Sequence, residues 1–294
     1  MPVPRLNHIE LPPFGDVYLP RGGEGQIANL ASEVKEYFDA GIELRPGDVV
    51  LDVGANVGVF AMHAAKVEPT IHLVCVEPIP ALFASLQRNF ETNPLLRGVK
   101  RSLHRMGLSD PTAPSEVEFL FFSRLPCDST SEVDSKRRQF ERFFASKGDS
   151  IHRWGARRGA GVAVAARAVG SVVTWLPKGR IGRWIGDRAA GAERVRCRLE
   201  TADRLLAQDG IDSIGLMKVD VEGAELKVLE GLSRDRWARV RQVVLEGHDE
   251  DDRARKVQTL LEGVGFDHVH VERPAIADER GLDNFLLYAK RTAL

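Results

Sequence analysis

A chain of 294 residues, 43% hydrophobic and 28% charged, can bury one large core or one core plus an inserted subdomain. Its formal charge of −1 gives no global electrostatic reason to expect nucleic-acid binding. Cys75, Cys127 and Cys197 are odd in number and lack a C-x-x-C spacing, which argues against a disulfide framework and a structural zinc site. The first ten residues carry Pro and charges rather than an apolar leader, and no apolar run approaches the roughly 18 residues of a spanning helix, so a soluble cytoplasmic protein is expected.

Residues 1–23 are rich in Pro and Gly and read as an extended arm with a short strand near 17–19. Residues 27–40 put Leu30, Val34, Tyr37 and Phe38 on one side of a helix, which suits a lid over a ligand; 1–47 are taken together as arm and lid. Strand patterns follow at 48–53, 71–76, 99–104, 117–122, 214–219, 241–246, 266–271 and 284–289. Helix patterns fall at 58–66, 79–92, 201–208, 222–231 and 252–263. This alternation predicts an α/β fold, a doubly wound Rossmann-like sheet that is mostly parallel and covered on both faces, built from 48–122 and 199–294.

The first of these strands runs Val49-Val50-Leu51-Asp52-Val53 into the turn Gly54-Ala55-Asn56-Val57-Gly58. A buried strand, a glycine turn and a helix together make a cofactor site, because bare backbone can approach a ligand at the strand's carboxyl end. No Lys-Ser/Thr follows the glycines and their spacing is not G-x-G-x-x-G, so a phosphate cradle is disfavoured. The next strand ends in Glu77-Pro78, and a carboxylate there can grip a ribose diol through two charge-assisted hydrogen bonds. The combination favours a nucleoside without phosphates, of which S-adenosylmethionine is the commonest. Asp52 and the turn amides of Gly54, Ala55, Asn56 and Gly58 would face its amino-acid part. Asp110, after the third strand, marks the adenine pocket or only a turn.

Residues 123–198 break the rhythm. From 151 to 198 there are eleven Lys/Arg against Asp187 and Glu193, with Trp154, Trp175 and Trp184 among them. An inserted helical cap with solvated arginines is one account of 123–198. A docking surface for an acidic carrier protein or an anionic membrane, through Arg153, Arg157, Arg158, Arg180 and Arg183, is the other.

The strings DVGANVG, VEPIP, LMKVDVEGAELKVLEGL (216–232) and VVLEGH (243–248) resemble the FkbM family of S-adenosylmethionine-dependent methyltransferases. The resemblance covers roughly 24–122 and 199–289, and KVDVEGAE is its most specific part. It implies a class I methyltransferase sheet with an antiparallel last strand. It also implies O-methylation of a hydroxyl on a small-molecule acceptor such as a specialised metabolite, sugar or glycolipid.

Methyl transfer requires the nucleophile to be held in line with the methyl and its proton to be removed. Asp220 ends one strand, while Glu246 and His248 end the next, so all three should reach the crevice mouth, with His248 the leading base. Asp220 and Glu246 could orient it, bind the acceptor or hold a divalent metal such as Mg²⁺ with it. Alternatively, Asp220 and Glu222 only start a helix. Lys218 is a further catalytic candidate, with an ion-paired or solvated lysine as the plainer account. Transfer of the cofactor's aminocarboxypropyl group stays open as a different use of the same site.

Overall fold

A computed structural model of the chain describes residues 6–123, 125–132, 192–273 and 284–292. Its centre is a seven-stranded sheet. The strands β3 (Val49–Val53), β4 (His72–Val76) and β5 (Lys100–His104) run one way across it from the middle. On the other side of β3 lie β9 (Leu216–Asp220), β10 (Gln242–His248), β12 (Asn284–Lys290) and β11 (His268–Glu272), in that order. Only β12 is antiparallel to its neighbours in this sheet. The chain therefore winds outward in both directions from the β3–β9 pair, and the crevice at a doubly wound sheet's reversal point opens above the carboxyl ends of these two strands.

Two-residue periodicity decides what each face carries. Val50, Leu216 and Val244 point to one face and pack under the helices α1 (Glu24–Glu33), α2 (Val59–Val67) and α3 (Pro80–Thr92). Leu51, Val53, Met217, Val219 and Leu245 point to the other. That second layer is closed by α4 (Ala202–Gln208), α5 (Glu225–Glu230), α6 (Arg234–Trp237) and α7 (Arg253–Gly263), whose Leu205, Val228, Trp237 and Val257 are fully or almost fully buried. The long apolar runs of these strands are what a sheet covered on both faces requires.

Four expectations need correction. The N-terminal arm is a hairpin, β1 (Leu6–Leu11) with β2 (Gly15–Pro20), docked on α3. Asn89 holds it: the Asn89 amide donates to Tyr18 O at 2.9 Å and to Val57 O at 2.7 Å, while its oxygen accepts from Tyr18 N. Asn89 is fully buried, so Asn89→Ala leaves backbone groups unsatisfied and is expected to lower stability by about 1–3 kcal/mol in urea titrations. The helix expected at 27–40 stops at Glu33 and tightens into a 3₁₀ turn, Val34–Phe38, whose i,i+3 pair Val34 and Tyr37 eclipse and are both buried.

The helix expected from 222 begins only at Glu225, because Glu222 (φ 53°) and Gly223 (φ 110°) are left-handed and cannot enter a right-handed turn. Finally, the insertion boundary at 198 cuts through a strand. The strand β8 (Ala192–Glu200) pairs with β7 (Glu116–Phe122) and with the short β6 (Gly107–Leu108) in a second, three-stranded sheet. Arg194, Arg196 and Arg198 lie on the exposed face of β8, and Arg194 and Arg198 pair with Glu118 and Glu200. The remaining basic positions of the insertion, Arg153 to Arg188, and its three tryptophans lie outside the described residues, as does the body of the expected cap.

Candidate active site

A cavity of about 400 Å³ opens at the β3–β9 reversal point, a size suited to a nucleoside cofactor. One wall is apolar: Ile79, Leu82, Val117, Phe119 and Leu199, the last three from the second sheet. Among the described residues its charged lining is Glu77, Asp110, Glu132, Asp220 and Glu222 against Lys227, an excess of acid that favours a cation over phosphate.

Glu77 is 4% exposed, and both its oxygens are engaged: Oε2 accepts from Asn56 N and Oε1 from Ile79 N, each at 2.9 Å. These bonds aim the carboxylate while leaving further lone pairs for hydroxyl donors. Burial outweighs them and pushes its pKa up to about 7. Asn56, with φ 51°, also lines the cavity, and its Oδ1 is buried without a hydrogen bond among the described residues. An orphaned acceptor beside a buried carboxylate fits a ligand bringing hydroxyl or ammonium donors, as S-adenosylmethionine does.

The other turn residues act differently from the expectation. Gly54 N and Ala55 N both donate to Val76 O at 3.0 Å and tie the turn to β4, while Gly58 N donates to Ala55 O and closes the turn on itself, so all three amides are engaged within the protein. Gly54 lines the cavity, and its φ of 79° is the lesser constraint: a Cβ would sit 1.8 Å from the Asp220 carbonyl oxygen. Ala55 is buried in the core. A Cβ on Gly58 would press on Leu86, so neither residue belongs to the lining. Asp110 does line the cavity, and it is also an Asx-type turn residue: its Oδ1 accepts Thr112 N at 2.8 Å and the Thr112 hydroxyl, bonds that hold its pKa below the usual carboxylate range.

Beneath the cavity lies an ionisable cluster that strand parity creates. Asp52, Lys218, Asp220 and Glu246 share the parity of Val50, Leu216 and Val244, hence one face. Register places Asp52 beside Lys218 and Glu246 beside Asp220. Lys218 Nζ donates to Gly54 O at 2.9 Å and lies 3.3 Å from Asp52 Oδ1 and 3.4 Å from Asp220 Oδ2, 5.7 and 5.8 Å above the Tyr37 and Phe60 rings. Neither Asp52 oxygen makes an aligned hydrogen bond, so its contact with Lys218 is one of charge. Buried among acids, Lys218 is held protonated well above the ordinary lysine range by Asp52 and Asp220, despite the opposing effect of burial.

Lys218 and Asp52 do not line the cavity. The contacts of Lys218 hold the glycine turn against β3 and β9. Tyr37, expected only as part of the lid face, donates its hydroxyl to Glu246 Oε2 and, at 3.4 Å, to Asp220 Oδ2. Burial first, and the neighbouring Asp220 second, push Glu246 up to about 8; burial also raises Asp220. No part of α1 lines the cavity. The helix instead braces one of its walls, Gln26 Oε1 accepting Cys127 N at 2.8 Å, which corrects the lid expectation.

His248 does not reach the cavity. Its Nε2 lies 2.8 Å from Glu222 Oε2 and its Nδ1 2.7 Å from Asn284 Oδ1, and it is Glu222 that lines the cavity. Glu222 was read in the sequence only as a helix-start acid. Its strained backbone is fixed by the Thr130 hydroxyl, which donates to Glu222 O at 2.7 Å. Among the described residues no group of three or more His, Cys, Asp or Glu side chains is arranged to hold a metal ion, and no helix is long and apolar enough to cross a membrane.

The methyltransferase FkbM domain matches residues 52–272. The chain is 30% identical over 288 residues to 31-O-demethyl-FK506 methyltransferase FkbM of Streptomyces tacrolimicus, covering 97% of each. It is 28% identical over 203 residues to methyltransferase sdnD of Sordaria araneosa, covering 66% of this chain and 64% of that one. A segment of the AMB antimetabolite synthetase AmbE of Pseudomonas aeruginosa is 31% identical over 212 residues, which is 71% of this chain and 9% of the synthetase. With the glycine turn, Glu77 and Asp220 set around one cavity, these matches place the chain in the FkbM family of S-adenosylmethionine-dependent methyltransferases.

Proposed function

We propose that the enzyme methylates a hydroxyl oxygen on a specialised metabolite, sugar or glycolipid. The observation that carries this reading is the layout of the cavity, with Glu77 and Asn56 at the cofactor end and Asp220 and Glu222 across from them at the β9 end. When bound there, the cofactor supplies an electrophilic methyl on a sulfonium. The acidic lining supports that cation, and carboxylates at the β9 end supply acceptors for a hydroxyl donor. The name of the Streptomyces relative describes an O-demethyl substrate, which supports oxygen as the receiving atom. The basic part of the insertion is proposed to contribute to acceptor or carrier recognition, as its composition suggests.

Incubation with methyl-labelled S-adenosylmethionine and a panel of hydroxylated metabolites tests the reading by mass spectrometry. The expected products are a labelled methyl ether and S-adenosylhomocysteine. Methylthioadenosine with an aminocarboxypropylated acceptor would overturn it, as would labelled methyl on nitrogen or carbon.

A further inference from the structure

The imidazole of His248 is flanked by oxygen on both sides, Glu222 Oε2 and Asn284 Oδ1. A neutral imidazole has one donor and one acceptor nitrogen, whereas two oxygen acceptors call for two N–H groups. His248 sits in register opposite Asn284 on the antiparallel pair β10–β12, so this placement is set by the sheet. Among the described residues the charged groups near it include Asp220 from β9, Glu246 from β10 and Glu225 from α5, together with Arg253 of α7, which donates to His248 O. Donating to both oxygens takes an imidazolium, and an imidazolium cannot accept a proton.

Resting on the hydroxyl-methylation reading above, we propose that Glu222 is the catalytic base and His248 a positioning residue, protonated on both nitrogens, that holds the Glu222 carboxylate toward the acceptor. Glu222 reaches the cavity where His248 does not. Its backbone is pinned by Thr130, and the next amide, Gly223 N, is taken by Glu225 Oε1 at 2.7 Å, so the main chain is fixed on both sides of Glu222 while His248 holds the carboxylate itself. Asp220 is the competing carboxylate, but its Oδ2 faces inward to Lys218 and Tyr37. In the step, the acceptor oxygen forms the new bond to the methyl carbon, the carbon–sulfur bond breaks with its electron pair left on sulfur, and the acceptor's proton passes to Glu222. A carboxylate paired with a cation is a weak base, but an oxygen gaining a methyl becomes strongly acidic, so a weak base in the right place suffices.

Two measurements test this. By ¹⁵N NMR of the whole protein without acceptor, wild type is expected to show both His248 ring nitrogens protonated at neutral pH, and Glu222→Gln to lose that state. A single protonated nitrogen in wild type overturns the proposal. This arm does not depend on which atom is methylated, so failure of the hydroxyl reading is seen separately, in the product analysis.

Turnover is then read on the acceptor that the labelled-methyl panel returns. Glu222→Gln should lose about 10²–10⁴-fold in kcat, with S-adenosylmethionine affinity within about twofold by calorimetry, which also reports folding. His248→Gln keeps an N–H donor for Glu222 and is expected to stay within about tenfold of wild type, with the acid limb of its pH–rate profile retained. A His248→Gln enzyme as impaired as Glu222→Gln, or lacking that limb, would return the base role to His248. Asp220→Asn abolishing the limb while Glu222→Gln keeps it would give the role to Asp220.

Discussion

Lys218→Met is expected to lower folding stability by about 3–5 kcal/mol, measured as the fall in unfolding free energy in urea, because it leaves buried carboxylates without their cation. The Lys218 side chain is 4% exposed and that of Asp52 is fully buried. Methionine fills the volume but supplies neither the charge nor the bond to Gly54 O. The sign of the pH dependence follows from the acids. Burial already raises the pKa values of Asp52 and Asp220 in the folded chain, while the Lys218 charge opposes the rise. Removing that charge raises them further. Between the unfolded and folded pKa values only the folded state holds the proton, so stability falls as pH rises through this window and is regained on acidification. The variant should therefore recover part of its loss between neutral pH and about pH 5. Asp52→Asn combined with Lys218→Met should recover part of it at neutral pH. Loss that is independent of pH would mean that packing, not charge, carries the effect.

Glu77→Ala is expected to weaken S-adenosylmethionine binding by the greatest factor of any change in the cavity. Two charge-assisted bonds to a ribose diol are worth roughly 1.5–3 kcal/mol each, so a loss of about 10²-fold or more should appear in calorimetry. The pH dependence gives a sharper test. With its pKa near 7, Glu77 is about half protonated at neutral pH before ligand arrives. A diol donates to the ionised form, so binding at lower pH must first expel a proton. Wild-type affinity should fall as pH drops below about 7, and proton release should be visible as a dependence of binding enthalpy on buffer. Glu77→Ala should flatten both. Wild-type affinity that is constant from pH 8 to pH 5.5 would remove Glu77 from the ribose contact.

The sheet was legible because buried parallel strands write themselves as continuous apolar runs, and the glycine turn because Gly54 has no alternative beside the Asp220 carbonyl. The second sheet was harder to see. Val195, Cys197 and Leu199 alternate with Arg194, Arg196 and Arg198, a strand signature that the charge excess obscured. The role of Tyr37 was hidden for another reason: on an apolar stripe it reads as one more residue of a lid face, and its acceptors lie 183 and 209 residues away in sequence. Glu222 carries no local mark of a left-handed backbone except the glycine after it. The turn amides were misassigned because spacing reveals that bare backbone is present but not which neighbour takes its hydrogen bonds.

The parity that gathers Asp52, Lys218, Asp220 and Glu246 on one face has a consequence for what changes the chain can absorb. Substituting any one of them disturbs only the contacts of that side chain. Deleting one residue within β9, by contrast, turns Lys218 and Asp220 to the opposite face, into the layer of Leu205, Val228 and Trp237, and brings Met217 and Val219 in their place. Both layers then fail together. Variation by insertion and deletion is thus confined to the loops, while in the three adjoining strands a replacement acts at its own site and a change of length acts on both layers.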